Sequence, residues 1–216
     1  MIAGLKDLDN FAVTLEFAEK IISGFSGCNN YWGQYKIHGV QFRILGALAS
    51  TLKMCQDQQM SLEAEFLVKL TKVFSFRVNG DRLELDSKQG KILLVLRRTG
   101  VEDLLGKWQV ISIHLPKRKA IVSVSDVLYL TFRKDFVQVS AGCNTFRGVW
   151  GLEGRILYLG PLTTTLQECE ETAMVQEKAL LDALNSVVGW RLAGNNLFLL
   201  RSDGGIAVSL LRLNKA

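Results

Sequence analysis

The stretch Ser26-Gly27-Cys28-Asn29-Asn30-Tyr31-Trp32-Gly33 returns later in the chain as Ala141-Gly142-Cys143-Asn144-Thr145-Phe146-Arg147-Gly148. A second cysteine follows each copy, because Ser50-Thr51-Leu52-Lys53-Met54-Cys55 corresponds to Thr164-Thr165-Leu166-Gln167-Glu168-Cys169. The first cysteines of the two copies are 115 positions apart and the second cysteines 114 apart, so one deletion keeps the copies in register. The chain is therefore a tandem duplication of one unit.

The duplication predicts where the chain divides. A length of 216 residues suits either one large domain or two of ordinary size, and the repeat decides for two. We expect a first unit over residues 1–98, a linker over residues 99–105 and a second unit over residues 106–216.

Residue periodicity predicts a mainly β or α+β fold with one helix in each unit. Apolar residues alternate with polar ones where each unit begins, as half-buried strands require. Later in each unit the apolar residues recur at helical spacing, which predicts one buried stripe on a helix of about four turns. The predicted stripes are Leu62, Phe66, Leu67, Leu70 and Phe74 in the first copy and Val175, Ala179, Leu180, Ala183, Leu184 and Val187 in the second.

The second copy has an opening strand, Lys107 to His114, that the first copy lacks. The position equivalent to Trp108 would fall before Met1. An unpaired sheet edge is prone to association unless something covers it. We expect the gap to be filled by residues 1–10, by the 99–106 connector, by the partner unit or by another chain.

The four cysteines are candidates for two disulfide bonds. Four cysteines allow three pairings, and the duplication favours one bond inside each unit. The expected bonds are Cys28–Cys55 and Cys143–Cys169. The alternative is four reduced, buried thiols that pack as small apolar residues.

The sequence supports neither catalysis nor a metal or cofactor site. The two histidines, His38 and His114, stand at positions that do not correspond between the copies, so no repeated catalytic set can be built. A Cys143–His114 pair remains as a weak candidate in the second copy. A zinc site is disfavoured because there is no Cys-x-x-Cys. We interpret the neighbouring carboxylates Glu63/Glu65 and Glu168/Glu170/Glu171 as solvated or as stabilising a helix start.

The corner residues themselves are candidates for binding. Asn29 and Asn144 follow the first cysteine of each copy, and their amides either face a ligand or bond the backbone of their own turn. The second reading is favoured. Aromatic residues near the corner either line a groove or pack in the core or at its rim, and packing is favoured. These aromatic residues are Tyr31, Trp32, Tyr35, Phe146 and Trp150.

The combination of Gly-Cys-Asn, a glycine-containing strand, a Thr-Leu-x-x-Cys segment and a helix resembles the META/HslJ-like (DUF306-type) domain. The second copy also has the opening Leu104-Leu105-Gly106-Lys107-Trp108 of that family. The resemblance implies a curled antiparallel sheet, or cracked barrel, with one helix. It further implies attachment to the bacterial envelope, a role in stress or secretion, and no established enzyme chemistry.

Composition narrows the class of partner. The net charge of +5 is mild and acidic residues are interspersed, so the Lys117-Arg118-Lys119 cluster indicates a solvated loop and not a nucleic-acid site. No apolar run reaches the roughly 18 to 20 residues that cross a bilayer. The first ten residues include acidic side chains, unlike a signal peptide. Two locations stay open: the periplasm or outer envelope if a leader was removed, and the cytoplasm otherwise.

These observations favour a non-catalytic protein that binds a protein or peptide partner. Binding would use burial of apolar partner surface or strand addition at an open edge. The alternative is a carrier that holds a lipid or another small apolar ligand in the cleft of the barrel.

Overall fold

The computed structural model describes residues 13–115, 120–123 and 128–213, and within them it is mainly β. The chain divides into two compact units, the first ending at Arg98 and the second beginning at Thr99. The predicted fold class is confirmed. The Lys117-Arg118-Lys119 cluster lies outside the described residues.

The described part of the first unit contains seven strands and one long helix. In chain order they are β1 (Glu16–Phe17), β2 (Ile21–Phe25), β3 (Asn30–His38), β4 (Gln41–Ser50), α1 (Asp57–Thr71), β5 (Ser75–Asn79), β6 (Arg82–Asp86) and β7 (Ile92–Arg97). The strands form one sheet in the order β1-β2-β3-β4-β5-β6-β7, and every adjacent pair is antiparallel. The result is a simple meander, with α1 inserted between β4 and β5.

Within residues 99–115, 120–123 and 128–213, the second unit contains eleven strands and two helices. In chain order they are α2 (Val101–Leu104), β8 (Gly106–Leu115), β9 (Ala120–Ser123), β10 (Tyr129–Phe132), β11 (Val137–Ser140), β12 (Thr145–Gly148), β13 (Trp150–Glu153), β14 (Ile156–Leu159), β15 (Thr163–Thr164), α3 (Glu171–Leu184), β16 (Val187–Ala193), β17 (Asn196–Arg201) and β18 (Ile206–Arg212). The sheet order is β13-β14-β16-β17-β18-β8-β10-β11-β12-β15, with β9 paired to β8. Because only Val149 separates β12 from β13, this path turns back towards its own start, and the sheet curls.

Strand β8 is the main difference between the units. It lies between β18 and β10 and pairs antiparallel with both. In the first unit the strands equivalent to β18 and β10 are β7 and β1, and no described strand joins them. Among its described residues, the first unit therefore has no counterpart of β8, which agrees with the register of the repeat.

The structure tests one proposed occupant of that gap. The 99–106 connector does not fill it, because Val101–Leu104 is helical and Gly106 already begins β8. Residues 1–10, the second proposed occupant, lie outside the described residues.

Residues 99–105 were expected to form a linker, but they open the second unit. Leu104 is fully buried in the core of that unit, and its carbonyl oxygen accepts a hydrogen bond of 2.7 Å from Trp108 Nε1. Arg212 on β18 donates hydrogen bonds to the carbonyl oxygens of Asp103 and Leu105. The bounds of the repeat suggested a linker, whereas the buried Leu104 packs this segment in the second unit.

The helices bury only part of the predicted stripes. Helix α1 ends at Thr71 and α3 at Leu184, so the predicted Phe74 and Val187 lie beyond them, and Leu67 is only half-buried. On α1 the residues Leu62, Phe66 and Leu70 are buried. On α3 the predicted Val175 is 63% exposed, and Gln176 is buried in its stead. The outward position of Val175 leaves an apolar side chain on the surface of the second unit.

Candidate functional site

Each unit contains one disulfide bond at its Gly-Cys-Asn corner. Cys28 is bonded to Cys55 and Cys143 to Cys169, the pairing that the duplication favours. The bonded residues are separated by 27 positions in the first unit and 26 in the second. A closed loop of that length stabilises the folded state by about 3.5 kcal/mol on the chain-entropy estimate.

The residues before the second cysteine of each bond form what we call the first disulfide loop (Thr51–Cys55) and the second disulfide loop (Thr165–Cys169). Asn29 holds the first loop with its side chain. Its Oδ1 accepts from Thr51 Oγ1 at 2.8 Å and from the Lys53 backbone N–H at 2.7 Å. Its Nδ2 donates to the Lys53 carbonyl at 3.2 Å and to Glu63 Oε1 on α1 at 3.0 Å. Every hydrogen-bonding position of this buried amide is therefore occupied.

Asn144 repeats this arrangement in the second unit. Its Oδ1 accepts from Thr165 Oγ1 at 2.8 Å and from the Gln167 backbone N–H at 2.9 Å. Its Nδ2 lies 3.3 Å from the Gln167 carbonyl and 3.2 Å from Glu177 Oε1 on α3. The two asparagines thus connect the corner, the disulfide loop and the helix in the same way.

This geometry corrects the favoured interpretation of the asparagines. Neither side chain bonds the backbone of its own turn, because the backbone partners, Lys53 and Gln167, lie more than 20 positions away along the chain. The one local contact of these amides is from Asn144 Nδ2 to the Cys143 sulfur at 3.4 Å. The turns are closed by the backbone instead: Ser26 N–H donates to the Asn29 carbonyl, and Ala141 N–H donates to the Asn144 carbonyl. Gly27 and Gly142 allow these turns because their φ angles are +112° and +93°.

The carboxylate of Glu63, interpreted from the sequence as solvated or as stabilising a helix start, instead bonds the corner. Its counterpart Glu177 was not singled out from the sequence. Glu63 Oε2 accepts from the Asn29 backbone N–H at 2.7 Å and from Ser26 Oγ. Burial by itself would raise the pKa of Glu63, but the hydrogen bonds from Ser26 and Asn29 outweigh it and hold the pKa below its usual range. Glu177 Oε2 accepts from the Asn144 backbone N–H at 2.8 Å. The signal was available, since residues 63 and 177 correspond in the register of the repeat.

Most of the candidate aromatic residues pack inside their unit. Tyr31 and Phe146 are buried, and Tyr31 Oη donates to the Thr14 carbonyl at 2.9 Å. Trp150 stacks edge-on against Phe132 with 4.8 Å between ring centroids. Trp32 differs from these, since 45% of it is exposed on β3.

The tips of the two disulfide loops carry the most exposed large apolar side chains among the described residues. Leu52 is 95% exposed and its counterpart Leu166 is 94% exposed. Met54, in the first loop, is 81% exposed. Neither leucine was singled out from the sequence, although they occupy equivalent positions in the repeat.

The structure removes one catalytic candidate. Cys143 is oxidised in its disulfide and has no thiol to act as a nucleophile beside His114. His114 Nε2 instead lies 2.9 Å from Ser112 Oγ, and burial together with the charge of Arg201 lowers the pKa of His114. In the part of the chain that the structure describes, no three His, Cys, Asp or Glu residues are grouped to hold a metal ion.

A comparison with protein-family models finds the same repeat that the two corners show. The family model for the META domain matches twice, over residues 2–100 and 102–212. A solved structure, the NMR structure of a protein from Burkholderia xenovorans, is similar with a TM-score of 0.45 and 19% identity, covering 53% of this chain and 87% of that one. No curated protein matches the chain.

None of the described helices is long and apolar enough to cross a membrane. The two family matches together span nearly the whole sequence, and each includes one Gly-Cys-Asn corner with its disulfide loop and helix. The chain therefore belongs to the META domain family and carries two META domains in tandem.

Proposed function

We propose that this protein is a non-catalytic binding protein that docks on a protein partner through its two disulfide loops. The observation that carries the proposal is the equivalent exposure of Leu52 and Leu166 at the loop tips. Burying a leucine side chain contributes about 1.5 to 3 kcal/mol. Each exposed leucine can therefore supply a useful part of the free energy with which its own loop binds a partner.

The loops are suited to docking because they are held before a partner arrives. Binding costs free energy when a flexible segment has to become ordered. Here a disulfide bond and the Asn29 or Asn144 side chain hold the residues on either side of each leucine. A partner therefore meets an apolar side chain whose backbone is already fixed.

The disulfides favour a location outside the reducing cytoplasm. Disulfide bonds persist in oxidising compartments such as the periplasm and are rare in the cytosol. In each unit the bond ties the disulfide loop to the corner. We infer an envelope location, and the role in stress or secretion that the family resemblance implies belongs to the same proposal.

The carrier alternative has less support. A carrier needs an interior cavity, whereas large apolar side chains are buried together in the described part of each unit. Trp108, Phe132 and Leu130 are fully buried in the second unit, and Phe66 and Leu70 in the first. Native mass spectrometry of the purified protein tests the carrier directly, because a carrier retains a lipid mass.

Photo-crosslinking tests the docking proposal. A photoreactive amino acid is placed at Leu52, at Leu166 or at Val40, a control valine that is 65% exposed in a hairpin turn. We expect protein adducts in the producing cells from positions 52 and 166 and not from position 40. Excess wild-type protein should suppress the adducts, whereas the Leu52→Ser/Leu166→Ser double variant should not. Equal labelling at all three positions, or adducts that contain lipid alone, would refute the proposal.

A further inference from the structure

The outward face of α3 in the second unit forms a groove with an apolar floor. The groove has a volume of about 650 Å³, and Cys169 of the second disulfide loop is among its lining residues. Its apolar contributors are Met174, Val175 and Leu181. Met174 is 47% exposed and Val175 is 63% exposed.

Helical spacing places the lining residues on one face. Positions 171, 174, 175, 178, 181, 182 and 185 all line the groove, and steps of three, four and seven residues keep side chains on the same side of a helix. The opposite face of α3 packs into the core through Ala179, Leu180 and Ala183. Helix α3 therefore has apolar side chains on its exposed face as well as on the face that packs into the core.

The groove has an acidic border. Three acidic side chains, Glu171, Glu177 and Asp182, and one lysine line the groove, a formal charge of −2, in a chain whose net charge is +5. Glu171 and Asp182 line the groove near the two ends of α3, and Lys178 is its basic residue. Charge of one sign around an apolar surface selects partners of the opposite sign.

We propose that this groove binds a basic, amphipathic helical segment of a partner protein. Its apolar residues would pack on Met174, Val175 and Leu181, and its lysines or arginines would lie near Glu171 and Asp182. An α-helix of 14 residues, the length of α3, is about 21 Å long, so the partner segment needs three to four turns. The flexible thioether of Met174 adapts to side chains of different shapes.

This inference deepens the proposed function by naming the chemistry of the partner, and it rests on the protein being a binding protein. It concerns a different surface from the tips of the disulfide loops. The groove residues can be changed while Leu52 and Leu166 remain intact, so the two proposals can fail separately.

The test uses the full chain and two fluorescent synthetic peptides of 15 residues. One has leucines at helical spacing with lysines elsewhere, and the other replaces every lysine by glutamate. We expect fluorescence anisotropy to show binding of the lysine peptide, at least ten times tighter than the glutamate peptide at physiological salt. The affinity should fall as the salt concentration rises.

Substitutions then locate the site. The Met174→Ser/Val175→Ser double variant should bind the lysine peptide at least tenfold more weakly, with an unchanged melting temperature because both side chains are exposed. Met60→Ser changes the equivalent methionine of the first unit, 38% exposed, and should leave the affinity unchanged. Equal binding of the two peptides, no binding of either, or an unaffected double variant would overturn the groove proposal. If the Leu52→Ser/Leu166→Ser variant still binds the lysine peptide, the peptide binds at the groove and not at the loop tips.

Discussion

Replacing Asn29 by alanine should destabilise the first unit and leave the second intact. The substitution removes four side-chain hydrogen bonds, one of them to the Glu63 carboxylate. A neutral hydrogen bond contributes about 1 kcal/mol net, and one to a charged group about 1.5 to 3 kcal/mol. In the Asn29→Ala variant, water can hydrogen-bond to the exposed disulfide loop in place of the amide more easily than it can to Glu63.

From these values we expect a loss of about 3 kcal/mol in the free energy of unfolding of the first unit. For a unit of this size, 1 kcal/mol shifts the melting temperature by about 4 to 8 °C. The melting temperature of the first unit should therefore fall by about 12 to 24 °C. Asn144→Ala should have the same effect on the second unit, because its side chain makes the equivalent contacts.

Hydrogen exchange measured by mass spectrometry follows the two units separately in the intact chain. Peptides from α1 and β2 should lose protection in Asn29→Ala, and peptides from α3 and β11 in Asn144→Ala. Gln58→Ala, an exposed position on α1, serves as a control and should change stability by less than about 0.5 kcal/mol. A loss below about 1 kcal/mol for Asn29→Ala, or equal loss of protection in both units, would refute the reasoning.

Three further predictions concern the first unit, and each is read from urea unfolding. Hydrogen bonds hold the pKa of Glu63 below its usual range. The stability it contributes is therefore present above the pKa of an unfolded glutamate, about 4.3, and is lost as the pH falls through the lower folded value. Glu63→Gln should thus be less stable than wild type at pH 7, by a margin that narrows below about pH 4.3, and a constant margin contradicts this. Arg77→Ala leaves the carboxylate of Asp86, which is 2% exposed, without its guanidinium partner. The variant should lose about 2 kcal/mol of stability. Arg82→Ala breaks only an exposed ion pair and should lose less than about 1 kcal/mol. Gly24→Ala would push a methyl group into the backbone of a neighbouring segment and should cost about 2 to 3 kcal/mol, so a neutral result would show that the backbone yields.

The architecture of the units could be predicted from the sequence because its signals are local or repeated. Alternating apolar residues indicate strands, and the register of the repeat pairs Cys28 with Cys55 and Cys143 with Cys169. The same register predicts that the described part of the first unit has no counterpart of β8. These features need only spacing along one chain.

The interactions of the corners could not be predicted in the same way, because they join distant segments. The Asn29 amide meets Lys53 and Glu63 only when the loop and helix have packed on the corner. The sequence favoured a hydrogen bond from the asparagine side chain to the backbone of its own turn. Backbone hydrogen bonds close the turn instead, so the side chain can bond the disulfide loop and the helix. The sequence signal that could have predicted these interactions was that Glu63 and Glu177 occupy equivalent positions in the two copies.

The sequence pattern also could not predict which apolar side chains are exposed. Val175 fits the apolar period of α3, yet Gln176 occupies the buried position. Apolar periodicity cannot distinguish a residue at the edge of a buried stripe from one just outside it. The exposure of Leu52 and Leu166 likewise follows from how the corner orients each loop, which only the folded structure shows.

Backbone ¹⁵N relaxation at Leu52 and Leu166 tests the central claim most directly. If the corners hold both disulfide loops rigid with their leucines exposed, both residues should have order parameters near 0.85, the value of a rigid backbone. In Asn29→Ala the value at Leu52 should fall below about 0.6 while Leu166 keeps its wild-type value. Order parameters below about 0.6 at both leucines in the wild-type protein would contradict the account.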